Sequence, residues 1–281
     1  MATETRTRVA LEAAVQALTP TSDTARLEAE VLLAHVLRQP RHRPYAWPEE
    51  RLHPEAHRRF QTLLGRRIAG EPLAYLTGQR EFWSLELKVT PQTLIPRPDT
   101  ERLVEVALAL IPKDISWQIA DLGTGSGAVA LALAKERPYS QVTATDIVPE
   151  ALAVAQCNAY RLGLSNVTFA LGHWCDALPT RPYHLIVSNP PYIPDHDPHL
   201  AGELRFEPRV SLMGGADGLA SMRDIIRCAP SHLRHDGRLL LEHGYDQGRP
   251  VWELMQRSGY RELRGHWDYG GRLRVTQGTA P

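Results

Sequence analysis

An excess of charge of either sign is missing from this chain. Its 32 lysines and arginines are matched by 32 aspartates and glutamates, without the basic surplus that a protein gripping a phosphate backbone normally carries. Clusters such as RQPRHRP and HRRF keep nucleic acid open as a partner, but the balance disfavours direct nucleic-acid binding. Cysteine is scarce as well. Cys157, Cys175 and Cys228 are odd in number, scattered, and form no CxxC pair. That argues against a disulfide framework or a structural zinc site and fits reduced thiols in a cytoplasmic protein. Long apolar runs are lacking too: nothing approaches the roughly 20 residues that a membrane span needs. The opening MATETRTRVALEAAVQAL has neither the apolar core nor the cleavage site of a secretion signal. No internal repeat or low-complexity tract divides the chain. These absences leave a globular, cytoplasmic, non-membrane protein, and its 281 residues suffice for one large domain or two.

What is present falls into three stretches. Residues 1–78 read as a small helical bundle. RVALEAAVQAL and TARLEAEVLLAHVLRQ space apolar residues at i, i+3, i+4 and i+7, and HPEAHRRFQTLLGRRIAG adds a further helix ended by Gly70 and Pro72. Asp23 or Thr24 is the expected cap of the second helix. Over REFWSLELKVTPQTLIPRPDT the period falls towards two, which predicts a β-hairpin within a linker, residues 79–98.

Residues 99–281 open with a helix, DTERLVEVALALI, with Asp99 or Thr100 as its cap, and then alternate. WQIADLG, QVTATDI, NVTFALG, YHLIVSN and RLLLEHG read as strands. AVALALAKER, PEALAVAQCNAYRLG and GLASMRDIIRCAPSHLR read as the helices between them. Such alternation implies right-handed crossovers and a doubly wound α/β sheet, mostly parallel and covered on both faces. The tail YRELRGHWDYGGRLRVTQG has two runs around DYGG, a hairpin signal. A Rossmann-like sheet finishing in an antiparallel hairpin is the methyltransferase variant of the doubly wound fold.

In IADLGTGSGAVALALA, Gly123, Thr124, Gly125, Ser126 and Gly127 lie between a strand and a helix. Glycines there let the backbone turn tightly and approach a ligand, and the helix start offers free N–H groups. The pattern points to a nucleoside-bearing cofactor without fixing which one. Gly123, Gly125 and Ala128 also satisfy the dinucleotide pattern, with Asp146 at a distance suited to a ribose. Asp121, just before the loop, suits a cationic amino acid better than a pyrophosphate. A tight turn with no ligand is the plainer alternative. Asp146 could accept both ribose hydroxyls or merely cap the helix opening at Pro149. Trp174 in LGHWCDAL could lie along an adenine ring or simply fill the core.

The run LIVSNPPYIPDH is the most specific stretch. Asn189 presents a carbonyl acceptor, and Pro190 a second one on its backbone. Such a pair suits a planar NH₂ group. Pro190 and Pro191 hold the acceptors without reorganisation, and Tyr192 could stack on a flat amide and exclude water. An amide nitrogen is a poor nucleophile, so orientation beside a sulfonium methyl donor is most of the help available. No strong general base is required, because the proton can leave afterwards. A bare Asn-Pro turn is the alternative.

These residues resemble the HemK/PrmC protein-glutamine N5-methyltransferases, which modify peptide-chain release factors. The likeness runs through EPLAYLTGQREFWSLELKV, LIPRPDTERLVE, DLGTGSGAVALALA, SNPPYIP, FEPRVSLMGGADGL and LLLEHGYDQG. NPPY alone is shared with adenine-N6 and other amino methyltransferases. The LIPRPDTE and FEPRVSLMGGADGL blocks are far more particular. The resemblance implies S-adenosyl-L-methionine, leaving as S-adenosyl-L-homocysteine, held by Gly123 to Gly127, Asp146, Trp174 and Asn189. It implies a glutamine side chain, from the GGQ motif of a release factor, gripped by Asn189, Pro190, Pro191 and Tyr192, with Asn189, Pro190 and Tyr192 in the catalytic role. It further implies an N-terminal recognition domain, and Arg97 and Glu101 as braces of the site wall. His173 stands where many members of the family carry an acidic residue, so a side-chain contact to the adenine amino group there is in doubt.

Three other groupings have plainer readings. Asp195, His196, Asp197 and His199 in PDHDPHL fit no metal-binding spacing and read as a solvated loop, with no metal expected. His243 reads as packed or hydrogen-bonded, and GGADGL as support for the site. The rival functions are glutamine methylation of a ribosomal protein and adenine-N6 methylation of nucleic acid. A non-enzymatic interaction protein would need a functionless corner at Asn189.

Overall fold

The computed structural model describes residues 5–281 and divides into two compact units, one ending at Gly78 and the other Gln79–Pro281. The first is helical: α1 (Thr7–Leu18), α2 (Ala25–Leu37), a short α3 (Arg43–Ala46), α4 (Pro54–Ile68) and α5 (Leu73–Thr77). Leu11, Ala14 and Leu18 form one stripe of α1, as their spacing dictates. They pack in one core with Leu32 and Leu33 of α2, Phe60 of α4 and Leu76 of α5. Thr24 holds the N-cap position of α2, but its hydroxyl donates to the Glu28 carboxylate, 3.2 Å away, instead of capping the backbone. Glu28 is buried, and Arg67 pairs with it at 2.8 Å, which a buried charge requires.

The second unit opens with a two-stranded hairpin, β1 (Gln79–Phe82) and β2 (Leu85–Lys88), turned by Trp83 and Ser84, both with φ of 53°. A 3-10 turn (Pro98–Thr100) leads into α6 (Glu101–Leu110). The alternating part follows as β3 (Gln118–Leu122), α7 (Ala128–Glu136), β4 (Gln141–Asp146), α8 (Pro149–Leu162), β5 (Val167–Leu171), β6 (Tyr183–Ser188), α9 (Ala220–Cys228) and β7 (Leu233–Glu242). It ends with α10 (Gly248–Arg257), β8 (Arg261–Trp267) and β9 (Leu273–Thr279). The sheet runs β5-β4-β3-β6-β7-β9-β8. Its first five strands pair in parallel, while β9 is antiparallel to both β7 and β8. This is the Rossmann-like methyltransferase sheet with its terminal hairpin.

Two apolar layers flank it. One gathers α6 and α7 with Leu85 and Leu87 of the hairpin, and the other α9 and α10. Every residue from Ala128 to Ala134 is buried, the state expected of a helix apolar all round. No helix was foreseen at α10, because GRP at its start reads as a turn. Pro250 instead sits in the first helical turn, where its missing N–H costs nothing, and Val251 and Met255 face the core.

The expectation of reduced thiols is overturned in part. Cys175, in the 3-10 turn Trp174–Ala177, is disulfide-bonded to Cys228 at the end of α9, with an S–S distance of 2.09 Å, and Cys157 is free. The partners are 53 residues apart, so no local spacing marks them. Among the described residues no helix is long and apolar enough to cross a membrane.

Candidate active site

Strands β3 and β6 pair in parallel with Leu122 opposite Ser188, and Ser188 Oγ donates to the Leu122 carbonyl at 2.7 Å. The glycine loop and the Asn189 corner therefore leave the sheet side by side. They do so at the carboxyl edge where strand order reverses, the place where open α/β sheets bind ligands.

The loop is held from beneath. The N–H groups of Gly123 and Thr124 both donate to the Thr145 carbonyl, at 2.9 and 2.8 Å. Thr124 Oγ1 donates to Asp121 Oδ2 at 2.7 Å, and the Ala130 N–H reaches the same oxygen at 3.2 Å. Burial pushes the Asp121 carboxyl up to about 6. Gly123 has φ +74°, and a methyl group there would stand 3.1 Å from Cζ3 of Trp174, so the indole lies against the loop. Gly127 lines none of the cavities below. A methyl there would meet Leu131 and Ala155 at 3.0 to 3.2 Å, so its absence lets α7 and α8 approach. Asp146 Oδ2 accepts from the Gly125 N–H at 2.8 Å and Oδ1 from that of Val148 at 2.9 Å, and burial raises its carboxyl. One carboxylate thus ties the loop to the start of α8 while facing the cavity.

That cavity, of about 260 Å³, is lined by Gly123, Gly125, Asp146, Trp174, Asn189 and Pro191, among others. His173 also lines it, tilted against Trp174 with ring centroids 5.5 Å apart. A second cavity, of about 180 Å³, is walled by Arg97, Asn189, Pro190, Pro191, Tyr192 and neighbouring apolar side chains. A third, smaller hollow of about 50 Å³ takes in Thr100, Asp121, Thr124, Ser126 and again Asn189. Asn189 is shared by all three.

The corner is braced on every side. The Ile193 N–H donates to Leu212 O at 2.9 Å, and the Gly214 N–H to Ile193 O at 2.8 Å. Gln247 Nε2 donates to the Tyr192 carbonyl at 3.0 Å. GGADGL packs directly on the corner: a methyl at Gly218 would fall 2.3 Å from Tyr192 O, and one at Gly214 2.7 Å from Pro191 O. Glu207, buried, pairs with Arg97 and accepts the Ile95 N–H at 3.0 Å, joining the LIPRP and FEPRV segments. Glu101 faces elsewhere. Its Oε1 accepts the N–H of Trp83 at 3.0 Å and steadies the strained hairpin turn. Burial pushes the Tyr192 phenol up to about 12, so it stays protonated.

Behind Asn189 lie Thr100, foreseen only as a helix cap, and Glu242, which the sequence did not single out. Asn189 Nδ2 donates to Thr100 Oγ1 at 3.0 Å, and Thr100 Oγ1 donates to Glu242 Oε1 at 3.2 Å. Of the two caps expected for α6, Asp99 or Thr100, it is Thr100 that holds the N-cap position, and it makes no side-chain cap. The signal for Glu242 was a lone carboxylate closing the apolar run LLLE at a carboxyl strand end. His243, fully buried, bonds the Gly244 carbonyl and Thr276 Oγ1, each at 2.9 Å, and burial lowers its pKa, so it is neutral and structural. Asp197 Oδ1 accepts from the His199 backbone N–H at 2.8 Å, an ordinary loop contact. The arrangement places the Asn189 amide, its nitrogen engaged by Thr100, where a larger and a smaller cavity meet.

A family model described as PrmC N-terminal domain matches residues 9–78, and one described as Methyltransferase small domain matches residues 102–204. The release factor glutamine methyltransferase of Coxiella burnetii is 52% identical over 92% of this chain and 94% of its own length. That of Vibrio cholerae serotype O1 is 49% identical over 96% of each. Among solved structures, the hMettl16 catalytic domain in complex with MAT2A 3′UTR hairpin 1 superposes with a TM-score of 0.55 at 16% identity. The match covers 81% of both chains. At that identity the likeness extends to the fold alone.

Proposed function

The chain belongs to the release factor glutamine methyltransferase family, and from that premise we propose its reaction. It transfers a methyl group from S-adenosyl-L-methionine to the side-chain amide nitrogen, N5, of the glutamine in the GGQ motif of peptide-chain release factors. The observation that carries this reading is Asn189, which lines both the larger cavity and the NPPY pocket and has its amide nitrogen turned away onto Thr100.

The residues fit the donor. Trp174 packs its indole against Gly123 and lines the cavity, a flat apolar wall along which a base can lie. Asp146 keeps a carboxylate on the wall for ribose hydroxyls. Gly123, Gly125, Asp146, Trp174 and Asn189 would hold the donor, with His173 on the same wall, Thr124 and Ser126 on the adjoining hollow, and Gly127 supporting the loop from behind. When bound, it supplies a methyl group on a positively charged sulfur.

The chain does the rest. Asn189 Oδ1 and the Pro190 carbonyl accept the two N–H bonds of the glutamine amide and fix its nitrogen. Pro190 and Pro191 hold those acceptors in place, and Tyr192 covers the amide plane. Orientation of this kind is worth several kcal/mol of barrier. No side chain need act as a strong base. In becoming the N-methyl amide the nitrogen would gain the methyl carbon and lose one proton to solvent, with S-adenosyl-L-homocysteine as the other product. The helical N-terminal unit is read as the recognition domain for the protein partner, whose place in translation makes the cytoplasm the working compartment.

The test is incubation with labelled donor and a panel: a release factor, the same factor with its GGQ glutamine replaced, a ribosomal protein, and DNA. Mass spectrometry should place one added methyl group on the GGQ glutamine. Label on DNA, or on the substituted factor, would overturn the assignment.

A further inference from the structure

Asn189 can present either end of its amide to a ligand, and only the oxygen suits an incoming NH₂ group. The choice is made behind it. Thr100 is 4% and Glu242 1% exposed, and both offer oxygen to the back of the amide. Thr100 Oγ1 accepts from Asn189 Nδ2 at 3.0 Å. That occupies the hydroxyl as an acceptor, so its own proton must go elsewhere, and Glu242 Oε1 takes it at 3.2 Å. The series has a direction: NH₂ to hydroxyl, hydroxyl to carboxyl. If the amide were flipped, its oxygen would face the Thr100 oxygen, and the Thr100 proton would have to abandon Glu242.

We propose that Thr100 and Glu242 are positioning residues that lock the Asn189 amide with its oxygen towards the glutamine pocket. The inference rests on the reading of Asn189 as the acceptor clamp and adds what sets its polarity. Thr100 is free for this duty because it does not cap α6, although it stands at that helix's N-cap position. Glu242 closes β7, beside β6 in the sheet, with Ser188 opposite Leu241. Its carboxyl therefore stands one strand away from the residue it controls. Glu242 Oε2 is buried and makes no hydrogen bond among the described residues. Both partners of the Thr100–Glu242 bond are thus almost fully covered by protein.

The experiment measures kcat, donor Kd by calorimetry and melting temperature for full-length variants with release factor as substrate. Thr100→Val keeps shape and removes both roles of the hydroxyl. Losing one oriented hydrogen bond and stranding a buried donor corresponds to roughly a 10- to 100-fold fall in kcat, with donor Kd moving less than about threefold. Thr100→Ser should recover most of that loss. Glu242→Gln, whose amide oxygen can still accept the Thr100 proton, should retain about tenfold more activity than Glu242→Met. In an Asn189→Ala background, Thr100→Val should cost nothing further. A merely structural Thr100 would lower both backgrounds alike and in step with melting temperature. Near-wild-type kcat in Thr100→Val, a Thr100→Ser as slow as Thr100→Val, or additive losses in the double variant would each overturn the inference while leaving the clamp intact. Near-normal turnover of Asn189→Ala would instead remove the clamp itself.

Discussion

Gly218→Ala is the substitution whose cost can be worked most directly. Gly218 has φ +73°, and an added Cβ would lie 2.3 Å from the Tyr192 carbonyl oxygen and 2.6 Å from Gln247 Nε2. The left-handed backbone alone costs an alanine about 1–2 kcal/mol. Relieving the clash must displace the Tyr192 carbonyl as well as the Gln247 amide, and their 3.0 Å bond is then lost. A part-buried carbonyl left unsatisfied adds up to about 1–3 kcal/mol. The sum is about 2–5 kcal/mol. Gly163→Ala is the matched control: φ is +68°, with no atom within 4 Å of the new methyl, so only the backbone term of about 1–2 kcal/mol applies. At about 2–4 °C per kcal/mol for a domain of this size, the control should melt a few degrees low and Gly218→Ala up to about 20 °C low. Scanning calorimetry gives both numbers, and kcat should fall only in Gly218→Ala, because the displaced carbonyl belongs to the NPPY corner. If the two variants melt together, the close approach of loop and corner is not what holds the site.

Three further outcomes follow from the geometry. Asn189→Ala should lower kcat by about 10²- to 10³-fold, as loss of a preorganised polar contact does, while calorimetric donor affinity changes less than about tenfold; normal turnover would contradict the clamp. Gly123→Ala should weaken donor binding by about tenfold or more, because its methyl meets Trp174 at 3.1 Å from a backbone with φ +74°. Pairing it with Trp174→Ala should give less than the sum of the two losses. Burial raises the Glu242 carboxyl from 4.5 to about 8, with the Thr100 hydroxyl and Arg274 pulling it partly back. The folded state therefore holds a proton that the unfolded chain gives up. This stabilisation is complete below about 4.5 and fades as pH climbs through about 8. Denaturant titrations should show wild type losing stability across that window relative to Glu242→Gln, and parallel curves would refute the burial argument.

The sequence made some of this legible and hid the rest for physical reasons. Strand and helix alternation is a local signal, so β3 to β7 and the crossover helices can be read from periodicity, as can the glycine loop and the NPPY corner. The Cys175–Cys228 bond could not be read, since its partners meet only when the turn after β5 and the end of α9 pack together. α10 was masked by Gly248 and Pro250, residues that signal a turn in sequence yet fit a helix start. Thr100 was read as a cap because position in the chain says nothing of what lies across the sheet. Glu207 was visible within FEPRV but had no role until Arg97 and Ile95 came to it from 110 and 112 residues away. Local chemistry announces itself; the groups that aim it do not.

The hydrogen bond from Ser188 to the Leu122 carbonyl has a bearing on how catalysis is timed. Neighbouring strands lie about 4.8 Å apart, and the two halves of the reaction hang from the ends of one such pair. The sheet acts as a fixed gauge block: whatever occupies the glycine loop and whatever enters the NPPY pocket meet at a separation set by backbone pairing. On that reading the spacing between the two is built into the sheet before either of them arrives.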